Sequence, residues 1–120
     1  MSERLDLKER TKQFALRVIR MFVRLPKTDV ARVLGKQVLR SGTSVGANYR
    51  EADEARSKAE FISKMGDSLR ELSETEYWLE LLIESGSVKS KLMAALLDET
   101  QQLKLIFSTI IRKARGENDK

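Results

Sequence analysis

The residues best placed to do chemistry in this sequence are the serine of a Gly-x-Ser-x-Gly motif and a run of carboxylates further along. The motif is Gly42-Thr43-Ser44-Val45-Gly46, which has the spacing of the nucleophile elbow of serine hydrolases. A serine nucleophile needs a base to accept its proton, usually a histidine, and this chain has no histidine. We therefore expect the match to be accidental. The hypothesis that the protein is an enzyme, with Ser44 or paired carboxylates as catalytic groups, is therefore the least favoured one.

The composition also argues against metal and redox chemistry. Histidine and cysteine are both absent, so the usual nitrogen and sulfur ligands of transition metals are missing and no disulfide can form. The Glu-x-x-His pairs of di-iron bundles cannot occur. We expect a non-enzymatic protein with no cofactor and no metal.

The apolar runs bear on where the protein resides. None reaches the roughly 18 residues of a membrane span. The charged start, MSERLDLKER, lacks the apolar core of a signal peptide. These features predict a cytoplasmic protein without a membrane partner.

Basic residues recur at steps of seven, three, four and three along the first predicted helix, on a face nearly opposite its apolar stripe. They are Arg10, Arg17, Arg20, Arg24 and Lys27. A second basic cluster near the C-terminus contains Arg112, Lys113 and Arg115. The stripe is either an ordinary solvated face or a phosphate-binding surface, since regularly spaced guanidinium groups can follow a charged backbone.

A polar line borders the core of the second predicted helix. Its members, at steps of four, four and three, are Arg40, Ser44, Asn48 and Glu51. About three turns separate Arg40 from Glu51, so we expect each to pair across a helix interface, and Ser68 and Glu71 to belong to the same network. A polar network that fixes helix register is the favoured interpretation. A ligand or catalytic site is the alternative.

Charge is unevenly distributed along the chain. The net charge is +5 over residues 1–28, +1 over 29–56, −4 over 57–86 and +3 over 87–120. Segments of opposite sign favour close association, within the chain or between copies. Trp78 lies on the acidic third helix, away from the centre of its apolar line, and we expect it to mark a subunit contact.

Apolar residues at helical spacing predict four helices, at residues 6–25, 29–55, 58–85 and 89–113. Pro26 ends the first, Thr28 or Asp29 caps the second, and Ser57 with Glu60 forms a capping box for the third. Ser85-Gly86-Ser87 is a stop signal followed by a new cap.

Three glycines in the second helix, Gly35, Gly42 and Gly46, would each cost about 1 kcal/mol relative to alanine. They indicate either close approach of a neighbouring helix or a break near Ser41-Gly42.

Four amphipathic segments with short joints predict an all-α fold, an antiparallel up-down four-helix bundle forming a single domain over residues 1–120. The apolar core lines include Val30 in the second helix and Leu92 in the fourth. Leu97, Leu105, Ile106 and Ile111 widen the stripe of the fourth helix. A stripe this wide predicts a second buried contact, as in an oligomer.

The stretch from Arg40 to Leu72 resembles the bacterial four-helix bundle family named for proteins encoded within intervening sequences of 23S ribosomal RNA genes. The pattern of its second helix is matched by Arg40, Ser44, Asn48 and Glu51. The serine-leucine and glutamate-leucine pairs of its third helix are matched by Ser68, Leu69, Glu71 and Leu72. A looser similarity runs from Phe14 to Gly86. Where the family has a glycine after the glutamate, this chain has Ala52, which favours a continuous second helix.

The resemblance implies little about biochemical role, because most members of the family have none established. Relatives include accessory proteins of diversity-generating retroelements, which form pentamers and bind nucleic acid and a reverse transcriptase. The resemblance thus implies a homo-oligomer, a pentamer by analogy, with RNA or DNA and a protein as candidate partners. Our first hypothesis is a non-enzymatic oligomeric bundle that binds nucleic acid through its basic stripes. The second is a protein-interaction scaffold without nucleic acid.

Overall fold

Four α-helices make up the computed structural model, which describes residues 3–116, with side chains from residue 7 onward. They are α1 (Glu3–Val23), α2 (Asp29–Asp53), α3 (Lys58–Glu84) and α4 (Ser90–Ala114). All four predicted helices are present, with ends that lie within three residues of the predicted ones. The predicted domain also includes residues 1–2 and 117–120, which lie outside the described residues.

Contacts between helices follow the order of the chain around the bundle. α1 packs on α2, α2 on α3, and α3 on α4, and α4 returns to α1. Short connections make successive helices antiparallel, so the predicted all-α, up-down four-helix bundle is confirmed. The α1–α4 pair has the least extensive contact of the four, which leaves one seam of the bundle more open than the others.

Short polar side chains cap the starts of α2 and α3, as expected. The Thr28 hydroxyl accepts a hydrogen bond from the Ala31 amide at 3.2 Å, and the Ser57 hydroxyl accepts one from the Glu60 amide at 3.0 Å. The Glu60 carboxylate reaches back to the Arg56 amide, 3.3 Å away, one residue beyond the partner of a standard capping box. These bonds satisfy amide groups that have no partner inside the helix.

The end of α3 and the start of α4 differ from the prediction in one respect. Gly86 has a φ of +80°, and the amides of Gly86 and Ser87 donate to the carbonyls of Ile83 and Leu82, the Schellman arrangement of a helix C-terminus. The prediction that Ser87 starts α4 as its cap is wrong. The cap position is Lys89 and makes no side-chain bond, while the Ser87 hydroxyl lies 3.0 Å from that of Ser85.

α2 is one continuous helix, and its glycines lie against α1. A Cβ atom added at Gly42 would be 2.8 Å from a methyl group of Val18, and one at Gly46 would be 3.1 Å from the hydroxyl of Thr11. A side chain at Gly35 would meet residues at the end of α1. Close helix approach, rather than a break at Ser41-Gly42, is therefore the reason for the glycines.

The core runs the length of the bundle and includes residues from all four helices. Tyr49 and Phe107 are fully buried in it, with ring centroids 5.8 Å apart. Two residues predicted for the core, Val30 and Leu92, are exposed by 53% and 67%. Both lie in the first turn of their helices, where neighbouring elements cover them less.

The predicted wide apolar stripe of α4 is only partly buried. Leu97 and Ile106 pack against the core and Ile111 is buried. Leu105 is 68% exposed, because it lies about half a turn from the buried line through Leu103 and Phe107. The excess of apolar surface on α4 is therefore concentrated at single exposed leucines rather than in a broad band.

Candidate nucleic-acid interface

The basic stripe of α1 follows the seam with α4. Arg17 and Arg20 line a shallow concavity together with Leu92 and Leu96 of α4. The prediction that the stripe lies nearly opposite the apolar face is wrong. At 100° per residue, Arg17 lies close to Met21, on the border of the core.

Arg10 is part of an ion pair that joins α1 to α4. Its Nε atom donates to one oxygen of the Glu99 carboxylate at 2.8 Å, and its Nη2 atom donates to the other at 2.9 Å. Nη2 also donates to the side-chain oxygen of Gln102 at 3.0 Å. Two-pronged bonds of this kind are stronger than single ones. Arg10, a member of the predicted basic stripe, therefore bridges α1 and α4 at this position along the bundle.

Beyond this ion pair the α1–α4 seam opens into a groove of about 510 Å³ near the C-terminal end of α1. We call it the α1–α4 groove. Buried Leu25 and Met93, together with half-buried Met21, form its apolar floor. Exposed Arg20 and Arg24 lie along its rim. The shallow concavity at Arg17 shares Arg20 and Met21 with this groove.

A second concavity, of about 400 Å³, lies between the end of α1 and the start of α2. Lys27 lies here rather than on the helical stripe, because α1 ends at Val23 and Pro26 redirects the chain. Arg32 and Lys36 of α2 line the same concavity. The sequence analysis missed these two cations. Their signal was present as a basic pair four residues apart, immediately after the turn at Pro26.

The two concavities meet at Leu25 and Pro26, which line both. Six cations therefore cluster at one end of the bundle, and we call them the basic end: Arg17, Arg20, Arg24, Lys27, Arg32 and Lys36. Within residues 7–116, no carboxylate lies within ion-pair distance of any of the six. Outside the basic end, Arg10, Arg40, Lys64, Arg70 and Lys104 have acidic partners, while other cations such as Lys12, Arg50 and Lys91 have no ion pair with residues 7–116. The six are set apart because they line adjoining concavities. The basic end thus carries positive charge that this part of the chain does not neutralise.

The C-terminal basic cluster lies at the other end of the bundle. Arg112 and Lys113 occupy the last turn of α4 and Arg115 follows it. About 20 residues separate them from the start of α4 beside the α1–α4 groove, a distance of roughly 30 Å at 1.5 Å per residue. The structure therefore does not join the two predicted basic clusters into one surface. Cations in this last turn also interact favourably with the negative end of the helix dipole.

The predicted polar line does make contacts between α2 and α3. Arg40 donates to Glu71 at 3.3 Å and to Glu74, and Lys64 lies 2.7 Å from Glu51. Bonding to Glu74 raises the pKa of Arg40. With Arg40 about half exposed, these are surface pairs that join two helices at their border.

Buried hydroxyl groups form the inner part of the α2–α3 interface. Ser68 donates to the Val45 carbonyl at 2.7 Å. Thr75 donates to the Glu71 carbonyl at 2.8 Å, and the Ser41 hydroxyl lies 2.7 Å from that of Thr75. Since the single Thr75 proton is used, Ser41 is the donor to Thr75. Ser68 thus bonds to the backbone of α2 and not to the side chains of the predicted polar line. The Ser41–Thr75 pair was missed, because periodicity does not distinguish a buried hydroxyl from an exposed one.

Ser44 and Asn48 do not bridge helices. The Ser44 hydroxyl donates to the Arg40 carbonyl of its own helix at 2.7 Å, and Asn48 has no hydrogen bond from its side chain to any residue in 7–116. Ser44 lies in the interior of α2 rather than at the strand-to-helix turn of a nucleophile elbow. The Gly-x-Ser-x-Gly spacing here belongs to a helix whose glycines contact α1.

The acidic helix α3 uses much of its charge within the molecule. Glu76 accepts from Lys104 at 2.7 Å and from Gln101 at 2.9 Å. These two bonds, with that of Lys104 the stronger influence, lower the pKa of the Glu76 carboxyl. The exposed carboxylates of Glu80 and Glu84, by contrast, form no ion pair with residues 7–116.

Trp78 lies half buried at the edge of the core. Its ring centroid is 5.1 Å from that of Tyr77, which is 53% exposed. The indole Nε1 is buried and has no hydrogen-bond partner among the described residues. The tryptophan is therefore more enclosed than expected, and the exposed aromatic surface beside it belongs to Tyr77.

The described residues contain neither a cluster of metal ligands nor a candidate membrane-spanning helix. No group of three or more acidic side chains there is arranged to hold a metal ion. None of the helices in that part of the chain has the length and apolar character needed to cross a membrane.

Fold and side-chain arrangement together define an antiparallel four-helix bundle that carries two concavities lined by cations at one of its ends. The model of the 23S rRNA-intervening sequence protein family matches residues 3–109, and the chain belongs to that family. It is similar to a protein of unknown function of the S23 ribosomal protein family from Bacteroides thetaiotaomicron VPI-5482, whose crystal structure superposes with a TM-score of 0.86. The two are 36% identical over 92% of this chain and 99% of the other. No curated protein matches this chain.

Proposed function

We propose that this protein is a non-enzymatic homo-oligomer that binds RNA or DNA through phosphate contacts at its basic end. One observation carries the proposal: six cations from α1, the α1–α2 turn and α2 converge there without carboxylate partners in residues 7–116. Phosphate contacts supply most of non-specific nucleic-acid affinity. The neighbouring concavities give a polyanion a shaped rather than a flat surface.

The expected binding is largely independent of sequence. Among the residues lining the concavities of the basic end, the one aromatic side chain is that of half-buried Phe22, which is too few for a series of stacked bases. If five phosphates are contacted, log K should fall with log salt with a slope of about −3.5 for a single strand and about −4.5 for a duplex. Fluorescence anisotropy with a mixed-sequence 20-nucleotide RNA and a duplex DNA of equal length, each over a salt series, measures this slope.

The assignment to the basic end is tested by removing charge there. The triple variant Arg20→Gln, Arg24→Gln, Arg32→Gln should weaken binding about tenfold or more at 0.1 M salt and reduce the slope by about 0.7–0.9 per lost contact. A matched control removes three charges from the other end of the bundle, through Arg112→Gln, Lys113→Gln and Arg115→Gln. Equal losses in the two triple variants would indicate an effect of net charge, and the basic end would lose its assignment.

A scaffold that binds protein rather than nucleic acid is the second candidate function. It is favoured by the exposed aromatic surface of Tyr77 beside Trp78, with exposed Glu80 and Glu84 on the same half of α3. Aromatic residues are enriched in subunit contacts. The expected assembly is a pentamer by family resemblance. Light scattering should show a smaller mass for Tyr77→Ser than for wild type, while Leu105→Ser, at an exposed apolar site on α4, should keep the wild-type mass.

A further inference from the structure

The α1–α4 groove is lined by apolar side chains that phosphate groups would not contact favourably. Leu92 projects from the first turn of α4 with 67% of its surface exposed, and it lines both the groove and the shallow concavity at Arg17. Leu25 and Met93 lie beneath it. Two methionines, Met21 and Met93, line both depressions, and flexible methionine side chains adapt to a variety of apolar partners.

The dimensions of this surface match a short helix. The α1 residues that line the two depressions run from Arg17 to Met21, about 6 Å along the helix axis. Arg24 and Leu25, in the turn after α1, extend this lined surface further. A partner helix with anchors at positions i, i+3 or i+4, and i+7 extends about 10.5 Å between its outer anchors. The Arg10–Glu99 pair closes the seam at one end, so an added helix would occupy only the open half.

The charges around the groove select an acidic partner. Arg20 and Arg24 line the groove, Arg17 lines the adjoining shallow concavity, and none of the residues lining either depression is acidic. The N-terminus of α4 borders the same groove and has neither a side-chain cap nor an acidic residue in its first turn. The positive end of the α4 dipole therefore adds to the charge of the arginines.

We propose that the α1–α4 groove binds an amphipathic acidic helix of a protein partner, with apolar side chains over Met21, Leu92 and Met93 and carboxylates beside the three arginines. This inference goes beyond nucleic-acid binding and does not rest on it, although Arg20 and Arg24 serve both surfaces. A phosphate backbone would satisfy the arginines but leave the apolar floor exposed to water. An amphipathic helix satisfies both, and it completes the most open seam of the bundle.

The test uses the whole chain and a designed peptide. The peptide has 16 residues, with leucines at every third or fourth position and glutamates between them, and carries a fluorescent label. A control peptide of identical composition has its leucines distributed around the helix. Leu92→Ser removes the exposed anchor of the groove, and Leu105→Ser is the matched control, because Leu105 is an equally exposed leucine on the far face of the same helix.

We expect the amphipathic peptide to bind more tightly than its control, with affinity reduced about fivefold or more by Leu92→Ser and by less than twofold by Leu105→Ser. RNA affinity should stay within twofold of wild type in Leu92→Ser, which separates this proposal from the nucleic-acid one. Equal binding of the two peptides, or equal effects of the two serine variants, would overturn the proposal. A fall in assembly mass caused by Leu92→Ser would assign the groove to a second copy. A matching loss of RNA affinity would assign it to nucleic acid, and either result would also overturn the proposal.

Discussion

Replacing Gly42 by alanine tests how closely α1 and α2 approach each other. A Cβ atom at this position would lie 2.8, 3.1 and 3.3 Å from three carbons of Val18. Val18 is fully buried, and a β-branched side chain in a helix has essentially one χ1 rotamer. The clash cannot be relieved by a rotation of Val18, so the two helices must separate.

Gly66, a second glycine in a helix interior, is the reference for the stability effect of Gly42→Ala. Gly66 lies within α3, and an added Cβ there would meet nothing within 4 Å. Both substitutions gain the helix propensity of alanine over glycine, about 1 kcal/mol. Only Gly42→Ala adds an overpacking cost of about 1–3 kcal/mol. The free energy of unfolding should therefore rise by about 1 kcal/mol in Gly66→Ala and should be lower in Gly42→Ala than in Gly66→Ala by about 1–3 kcal/mol.

Urea unfolding followed by circular dichroism of the helices measures both values. Protein concentration must be the same throughout, because assembly would make stability depend on it. If Gly42→Ala proved as stabilising as Gly66→Ala, the close packing of α1 on α2 would be refuted as the reason for the glycine. Gly35→Ala is expected to be milder than its geometry suggests, because the nearest atom is the flexible end of Leu25.

Three further substitutions test individual contacts by the same unfolding assay. Glu76→Gln should lower the free energy of unfolding by about 1 kcal/mol at pH 7. Because Lys104 lowers the folded-state pKa of Glu76, this contribution is present above the unfolded pKa of about 4.3 and is lost as pH falls through the lower folded-state value, so variant and wild type should converge in stability under more acidic conditions. Arg10→Ala should cost about 1–3 kcal/mol by leaving Glu99 without its partner, with little change in RNA affinity; a tenfold loss of affinity would return Arg10 to the binding surface. Ser57→Ala should cost about 1 kcal/mol by removing the cap of α3, and an unchanged midpoint would contradict the role of that hydrogen bond.

Much of the fold could be predicted from local patterns. Apolar spacing, Pro26 and the Ser57 cap are local signals, and each acts through backbone geometry within a few residues. The family resemblance rested likewise on local spacing from Arg40 to Leu72. Leu92 shows the limit of such patterns, because it continues the helical period but lies where no neighbour covers it. Whether a residue on the right face is buried depends on a partner helix that the local pattern does not contain.

Only part of the candidate site could be predicted from local sequence patterns. The arginines of α1 were identified from their spacing, but their direction was misjudged, since a stripe about 100° from the core can face either solvent or a neighbouring helix. Pairing of Arg10 with Glu99 joins residues 89 positions apart, and Arg32 and Lys36 reach the basic end only through the turn at Pro26.

By itself, the sequence determined which segments are helical, where they end, and that histidine and cysteine chemistry is absent, because these depend on residue type and near neighbours. Only the tertiary structure decided which cations are neutralised by distant carboxylates and which converge at one end. It also decided that Leu92 remains uncovered above an open seam. Electrostatic pairing and burial both depend on distances between helices, and those distances are set by the packing of all four helices together.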